Sequence, residues 1–178
     1  MKRTIVAIVG ESGSGKTFAS FHLQQVLGWN PIVSYTTRPM RDGEVDGREH
    51  WFVTDKDVPE KQKMCAYTVF GNHQYWTEWK QFDNDKVNIY VIDEKGLIDL
   101  RSKEQTPFDF NLFTIKINRK NKKGIDKERT DRAKERVTIP ENMYDYVINN
   151  DETIEAFRAA LYLIGKCIEH KCNGSTNK

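Results

Sequence analysis

The sequence is poor in cysteine, in long apolar runs and in net charge. Its three cysteines, Cys65, Cys167 and Cys172, form an odd count with no metal or redox spacing, which points to a reducing cytoplasm. No apolar run approaches the ~18 residues that a membrane span needs. The opening stretch, Met1 to Gly10, breaks off after about six apolar residues, too short for the h-region of a signal peptide. Lys and Arg total 28 against 26 Asp and Glu, a formal charge of +2, so neither an acidic tail nor a wholesale nucleic-acid binder is expected. What is there is 178 residues, 38% hydrophobic and 11% aromatic. That suffices for one globular domain burying roughly two thirds of its unfolded surface, without staples.

The small net charge hides an asymmetry. From Lys116 to Arg136 ten Lys/Arg stand against four Asp/Glu, a local +6 that leaves −4 for the rest of the chain. A basic segment on a slightly acidic body calls for an anionic partner.

Along the chain, Thr4 to Val9 is a β-branched apolar run that reads as a buried strand. A glycine-rich turn and a helix from Lys16 to Leu27 follow, with Phe21, Val26 and Leu27 as core-facing candidates and Gly28 as the stop. Pro31 to Ser34 reads as a second strand, and residues 35 to 54 as a polar, turn-rich stretch. Short strand-like pieces come next: Trp51 to Thr54, Cys65 to Phe70 and Gln74 to Thr77, with a helix expected over Asp55 to Met64. The aromatics of this insert could form a satellite core.

The alternation then resumes. It runs through a strand at Asn88 to Ile92, a helix to Ser102, a strand at Asn111 to Ile117 and a charged helix up to Val137. A last strand at Tyr146 to Ile148 precedes a helix capped by Asp151, with Ile154, Phe157, Leu161 and Ile164 along one stripe. Strands alternating with helices define an α/β fold with a mostly parallel sheet.

Gly10 to Thr17 reads G-E-S-G-S-G-K-T, a full match to G-x-x-x-x-G-K-[ST] between a buried strand and a helix. Gly10, Glu11, Ser12, Gly13, Ser14 and Gly15 supply a loop whose amides turn toward one anion. The helix N-terminus adds partial positive charge. Lys16 reaches the outer phosphates of a nucleoside triphosphate, and the Thr17 hydroxyl suits Mg²⁺. ATP and Mg²⁺ are therefore expected.

A second anion site follows. Arg38 and Arg41 lie three apart in the loop after a strand, and paired guanidinium forks hold a phosphate dianion well. The stretch S-Y-T-T-R-P-M-R-D-G-E-V-D-G-R-E-H-W-F-V, from Ser34 to Val53, together with the phosphate loop, resembles the guanylate kinase family. That family's pattern is S-x-T-T-R-x-x-R-x-G-E-x-x-G-x-x-Y-x-F-V. The agreement lies in Ser34, Thr36, Thr37, Arg38, Arg41, Gly43, Glu44, Gly47, Phe52 and Val53.

The resemblance implies a P-loop NTPase-type parallel sheet flanked by helices. The core would span about 1–33, 87–117 and 137–170, with a small mixed β/α acceptor-binding insert at about 34–86, a lid at about 118–136 and a tail at 171–178. It implies transfer of the γ-phosphoryl of ATP to a nucleoside monophosphate, GMP or dGMP first. The partner is then a small phosphorylated substrate, with no nucleic acid or membrane, and the protein a monomer or homodimer.

By position, the resemblance gives Arg38, Arg41 and Tyr75 the acceptor phosphate, Ser34 and Thr77 hydroxyl contacts to guanine, and Asp93 a further contact to the base. His50 stands where the family has its first phosphate-binding tyrosine. The family's guanine-reading glutamate falls on Ala66, or on Cys65 if the loop is one residue longer. Val91 replaces the first acid of a D-x-D motif. These departures keep open an acceptor other than guanine, such as another nucleotide or a sugar phosphate. A non-catalytic binding module is the third reading, and the intact phosphate loop speaks against it.

Asp93 also has a reading of its own: an acid after the run Ile89 to Ile92 is either a Walker-B type Mg²⁺ partner or a helix N-cap. In the basic segment Arg129, Arg132 and Arg136 share one helical face. Arg132 and Arg136 are the expected phosphate clamps, with Arg129 the alternative.

Overall fold

The computed structural model describes residues 2–103, 106–120 and 137–174. The first strand, β1 (Arg3–Gly10), has Ile5 to Val9 wholly buried. It is the middle of a five-stranded sheet ordered β2–β7–β1–β8–β9, with β2 at Asn30–Ile32, β7 at Val87–Val91, β8 at Phe110–Asn118 and β9 at Tyr146–Asn149. Every pairing in it is parallel. A strand buried on both faces needs an unbroken apolar run, which β1 supplies.

Alternate residues of β1 feed two cores. Val6 and Ile8 pack with Ala19 and Leu23 of α1 (Lys16–Leu27) and with Phe157, Leu161 and Ile168 of α3 (Ile154–Gly174). Ile5, Ala7 and Val9 pack on the opposite side with Leu97 and Leu100 of α2 (Glu94–Ser102). Each large side chain so buried contributes about 1.5–3 kcal/mol.

A second sheet, ordered β4–β3–β6–β5, lies over the α2 side: β3 is Tyr35–Thr36, β4 Trp51–Phe52, β5 Met64–Phe70 and β6 His73–Glu78. β5 and β6 form an antiparallel hairpin, and β3 pairs antiparallel with β6 and parallel with β4.

Several expectations need correction. The helix expected over Asp55 to Met64 is instead two single 3₁₀ turns, Asp55–Asp57 and Lys61–Lys63. Pro59 lacks an N–H and drives Val58 to an extended conformation between them. The insert does not bury its side chains only among themselves: Cys65, Ala66, Trp79 and Phe82 join the core of Ile5 and Ala7, while Trp76 stacks on Tyr35 within the insert.

In α1 the buried residues are Ala19, Ser20 and Leu23, while Phe21 and Val26 face outward. Ile154 is exposed, and the stripe of α3 starts at Phe157. Thr153 caps α3, its hydroxyl accepting from the Ala156 N–H at 3.2 Å, while Asp151 accepts from the Lys120 N–H. The second strand ends at Ile32, two residues earlier than expected. The charged helix expected before Val137 lies outside the described residues.

Candidate active site

The loop from Gly10 to Lys16 joins the end of β1 to the start of α1. Gly13 and Gly15 have φ of 76° and 105°, left-handed values that favour glycine. A Cβ on Gly15 would also lie 2.7 Å from Nδ2 of Asn150. That amide donates to the Ser14 carbonyl at 2.9 Å, so the loop leans on the turn between β9 and α3. Lys16 Nζ donates to the Glu11 carbonyl at 2.8 Å, across the mouth of the loop. The Ser14 hydroxyl is buried and finds no partner among the described residues. No acid occupies the first turn of α1, which leaves the positive helix end to an anion.

Facing this loop across a cleft of about 1100 Å³ is the second sheet. Arg38 follows β3 and is almost buried. Its Nη2 donates to both carboxylate oxygens of Glu44, at 2.8 and 2.9 Å, and its Nη1 to the Pro39 carbonyl at 2.7 Å. Glu44 also accepts from the Arg41 N–H at 2.8 Å. Partial burial works to raise the Glu44 pKa, but the Arg41 N–H and the Arg38 guanidinium outweigh it and hold the carboxyl below its ordinary value. Arg38 Nε and the Tyr75 hydroxyl are both buried and without partners among the described residues. Two orphaned polar groups on one wall are what an absent anionic ligand would leave.

Ser34 Oγ and His50 Nδ1 are hydrogen-bonded at 2.8 Å, and the His50 ring stands edge-on to Tyr75 at 5.7 Å between centroids. Ser34, Arg38, Arg41, His50 and Tyr75 thus line one wall, as the sequence suggested. Thr77 is the exception. Its side chain is wholly buried, does not line the cleft, and is bound to the Tyr90 hydroxyl at 2.5 Å. Of Ala66 and Cys65, Ala66 pairs with Thr77 in the hairpin and lines the cleft. Cys65 is buried in the core, where burial pushes its thiol up to about 12.

Of the two readings of Asp93, the N-cap is observed. Its Oδ1 caps α2 by accepting from the Gly96 N–H at 2.7 Å, and the residue, just after β7, lines the same cleft as Thr17. A hydroxyl and a carboxylate oxygen fit Mg²⁺, which takes few protein ligands and completes its shell with phosphate and water. Among the described residues no cluster of three or more His, Cys, Asp or Glu could hold a metal alone. Arg129, Arg132 and Arg136 lie outside the described residues.

Sequence reasoning missed a buried ion pair. Glu94, the first residue of α2, meets Lys116 of β8 at 2.8 Å, and both are largely shielded. It missed Asn150 as well. Glu44 was matched in the motif without a role, although an acid three residues after Arg41 in a basic turn is the signature of an ion-pair partner.

A phosphate loop facing an arginine wall across a cleft, at the carboxyl ends of parallel strands, defines a P-loop phosphoryl-transfer protein with two anion sites. A family model described as "Guanylate kinase" matches residues 1–164. The chain is 34% identical over 176 residues to a guanylate kinase of Vibrio vulnificus, covering 85% of this chain and 82% of the relative. It is 28% identical over 173 residues to one of Protochlamydia amoebophila, covering 88% and 87%. In fold it is similar to the crystal structure of guanylate kinase from Anaplasma phagocytophilum, with a TM-score of 0.65 at 20% identity over 93% of this chain and 86% of that one. The chain belongs to the guanylate kinase family.

Proposed function

We propose that the protein transfers the γ-phosphoryl of Mg·ATP to GMP or dGMP. The observation that carries this is the opposition, in one cleft, of the phosphate loop and the wall bearing Arg38, Arg41 and Tyr75. The loop amides and Lys16 hold the triphosphate and stabilise charge on the moving phosphoryl. Thr17 and Asp93 hold Mg²⁺, which neutralises charge between the phosphates when bound. Arg38, Arg41, His50 and Tyr75 align the acceptor phosphate, and Ser34 steadies His50 through their shared hydrogen bond. The acceptor is already a phosphate oxygen, so no protein base is required.

In this reading residues 34–86 are the acceptor-binding insert. Residues 118–136 are a lid whose Arg132 and Arg136, or Arg129, complete the clamp. A cytoplasmic location is part of the proposal. It is supported by three free cysteines and agrees with the lack, among the described residues, of any helix long and apolar enough to cross a membrane.

The test is ADP release with Mg·ATP and a panel of GMP, dGMP, CMP, UMP and sugar phosphates. GMP or dGMP should raise ADP release far above hydrolysis, and Lys16→Ala should abolish that rise while the protein stays folded. If neither guanine nucleotide raises it, the proposal fails.

A further inference from the structure

The register of the second sheet sorts its side chains. Residues paired directly across strands share a face, so Tyr75, Thr68, Thr77 and Ala66 lie on one side of the hairpin. On that side Tyr75 presents its unpartnered hydroxyl at the phosphate end. Two residues further along β6, about 7 Å inward, Ala66 and Tyr90 line the cleft, with Thr77 wholly buried behind them. In the kinase reading above, the base of the acceptor nucleotide lies against this inner wall.

That inner wall carries no charge. Ala66 offers a methyl group to the cleft. Thr77 lies behind that wall, wholly buried, with its hydroxyl bound to the hydroxyl of Tyr90. Cys65 is turned into the core.

The carboxylates that line the cleft are engaged elsewhere. Glu44 holds Arg38, Glu49 holds Arg48, and Glu94 holds Lys116. Glu11 belongs to the phosphate loop at the other end. Asp93 gives one oxygen to the Gly96 N–H, and the metal reading above claims the other.

Guanine presents two adjacent donors on one edge, the ring N1–H and the 2-amino group. Reading both takes a pair of acceptor oxygens in one plane, which a carboxylate supplies and a methyl does not. A site that hydrogen-bonds a substrate group rejects the analogue lacking it by orders of magnitude; a wall without that partner does not.

We propose that the inner wall formed by Ala66 and Tyr90 leaves the 2-amino group of the purine unread, so that IMP is an acceptor alongside GMP. The inference rests on the kinase reading above and specifies its acceptor pocket. Removing the 2-amino group to give IMP breaks no charged contact and relieves a donor facing a methyl group. The 5′-phosphate, gripped by Arg38, Arg41 and Tyr75, is the same in both nucleotides.

The experiment uses the full chain and two readouts, with GMP and IMP as the probes. In turnover with saturating Mg·ATP, kcat/KM for GMP should exceed that for IMP by less than about twentyfold. In calorimetric binding without ATP, the two dissociation constants should differ by less than the same factor. A larger preference for GMP in either readout overturns the proposal. If both nucleotides bind equally and neither is phosphorylated, the kinase reading fails while the pocket inference stands. If neither binds, both fail. Ala66→Glu returns a carboxylate to the wall and should raise the GMP-to-IMP ratio by at least about tenfold. An unchanged ratio in a variant with wild-type circular dichroism also overturns it.

Discussion

Arg38 Nη2 reaches both oxygens of Glu44, at 2.8 and 2.9 Å, with the two side chains 6% and 17% exposed. Glu44 thereby fixes a guanidinium whose Nε is buried and without a partner among the described residues. In the proposed kinase reading, the pair aims a phosphate ligand before the phosphate arrives.

Glu44→Ala should therefore act mainly on the acceptor. GMP KM is expected to rise by about tenfold or more while the KM for ATP stays within about twofold, since the loop around Lys16 is untouched. Steady-state kinetics in both substrates decide this. An equal rise in both KM values would mean general collapse rather than misaimed arginine.

The same carboxyl sets a pH dependence. Its folded pKa lies below the ordinary 4.5, so its contribution to stability is fully present above that value. The contribution is lost as pH falls through the folded pKa. Urea denaturation should show the wild type losing its advantage over Glu44→Gln below pH ~4.5 and keeping it unchanged from pH 6 to 8.

Gly15→Ala combines a φ of 105° with a Cβ placed 2.7 Å from the Asn150 amide nitrogen. A cost of about 1–3 kcal/mol is expected, with ATP affinity falling alongside it because the Ser14 carbonyl loses its support. Thermal melting with and without Mg·ATP measures both. Asn150→Ala should reproduce part of the ATP effect without backbone strain.

The Glu94–Lys116 pair is buried on both sides. Lys116→Met alone would remove the cation that Glu94 meets at 2.8 Å, at about 3–5 kcal/mol. Adding Glu94→Leu should recover most of that loss, because two apolar residues of similar size replace the pair. A double-mutant cycle by denaturant titration gives the coupling. Additive effects would show that the two charges do not depend on each other.

The parallel sheet was legible because β1 holds the apolar run Ile5 to Val9, because β7 is apolar from Ile89 to Val91, and because the phosphate loop has a fixed spacing. Arg38, Arg41, His50 and Tyr75 were legible through the motif, and the wall they share follows from β3 pairing with β6. Thr77 was misread because its hydroxyl partner, Tyr90, stands on a strand of the other sheet, and no local pattern reports that crossing. Glu94 and Lys116 stayed hidden for the same reason: α2 and β8 meet only through the order of the sheet. The helix expected after Asp55 failed on a single residue, Pro59, whose effect on its neighbour outweighed the helical spacing around it.

The joining of Cys65, Ala66, Trp79 and Phe82 to the core of Ile5 and Ala7 constrains how the cleft can narrow. The hairpin's inner half is part of the protein's foundation, and swinging the whole second sheet as a plate would strip apolar surface from the central strand. β3, β4 and the turn carrying Arg38 and Arg41 have no such tie. A closing movement should therefore curl the sheet along its length, bringing the phosphate-gripping rim toward Lys16 while the wall beneath the base stays put.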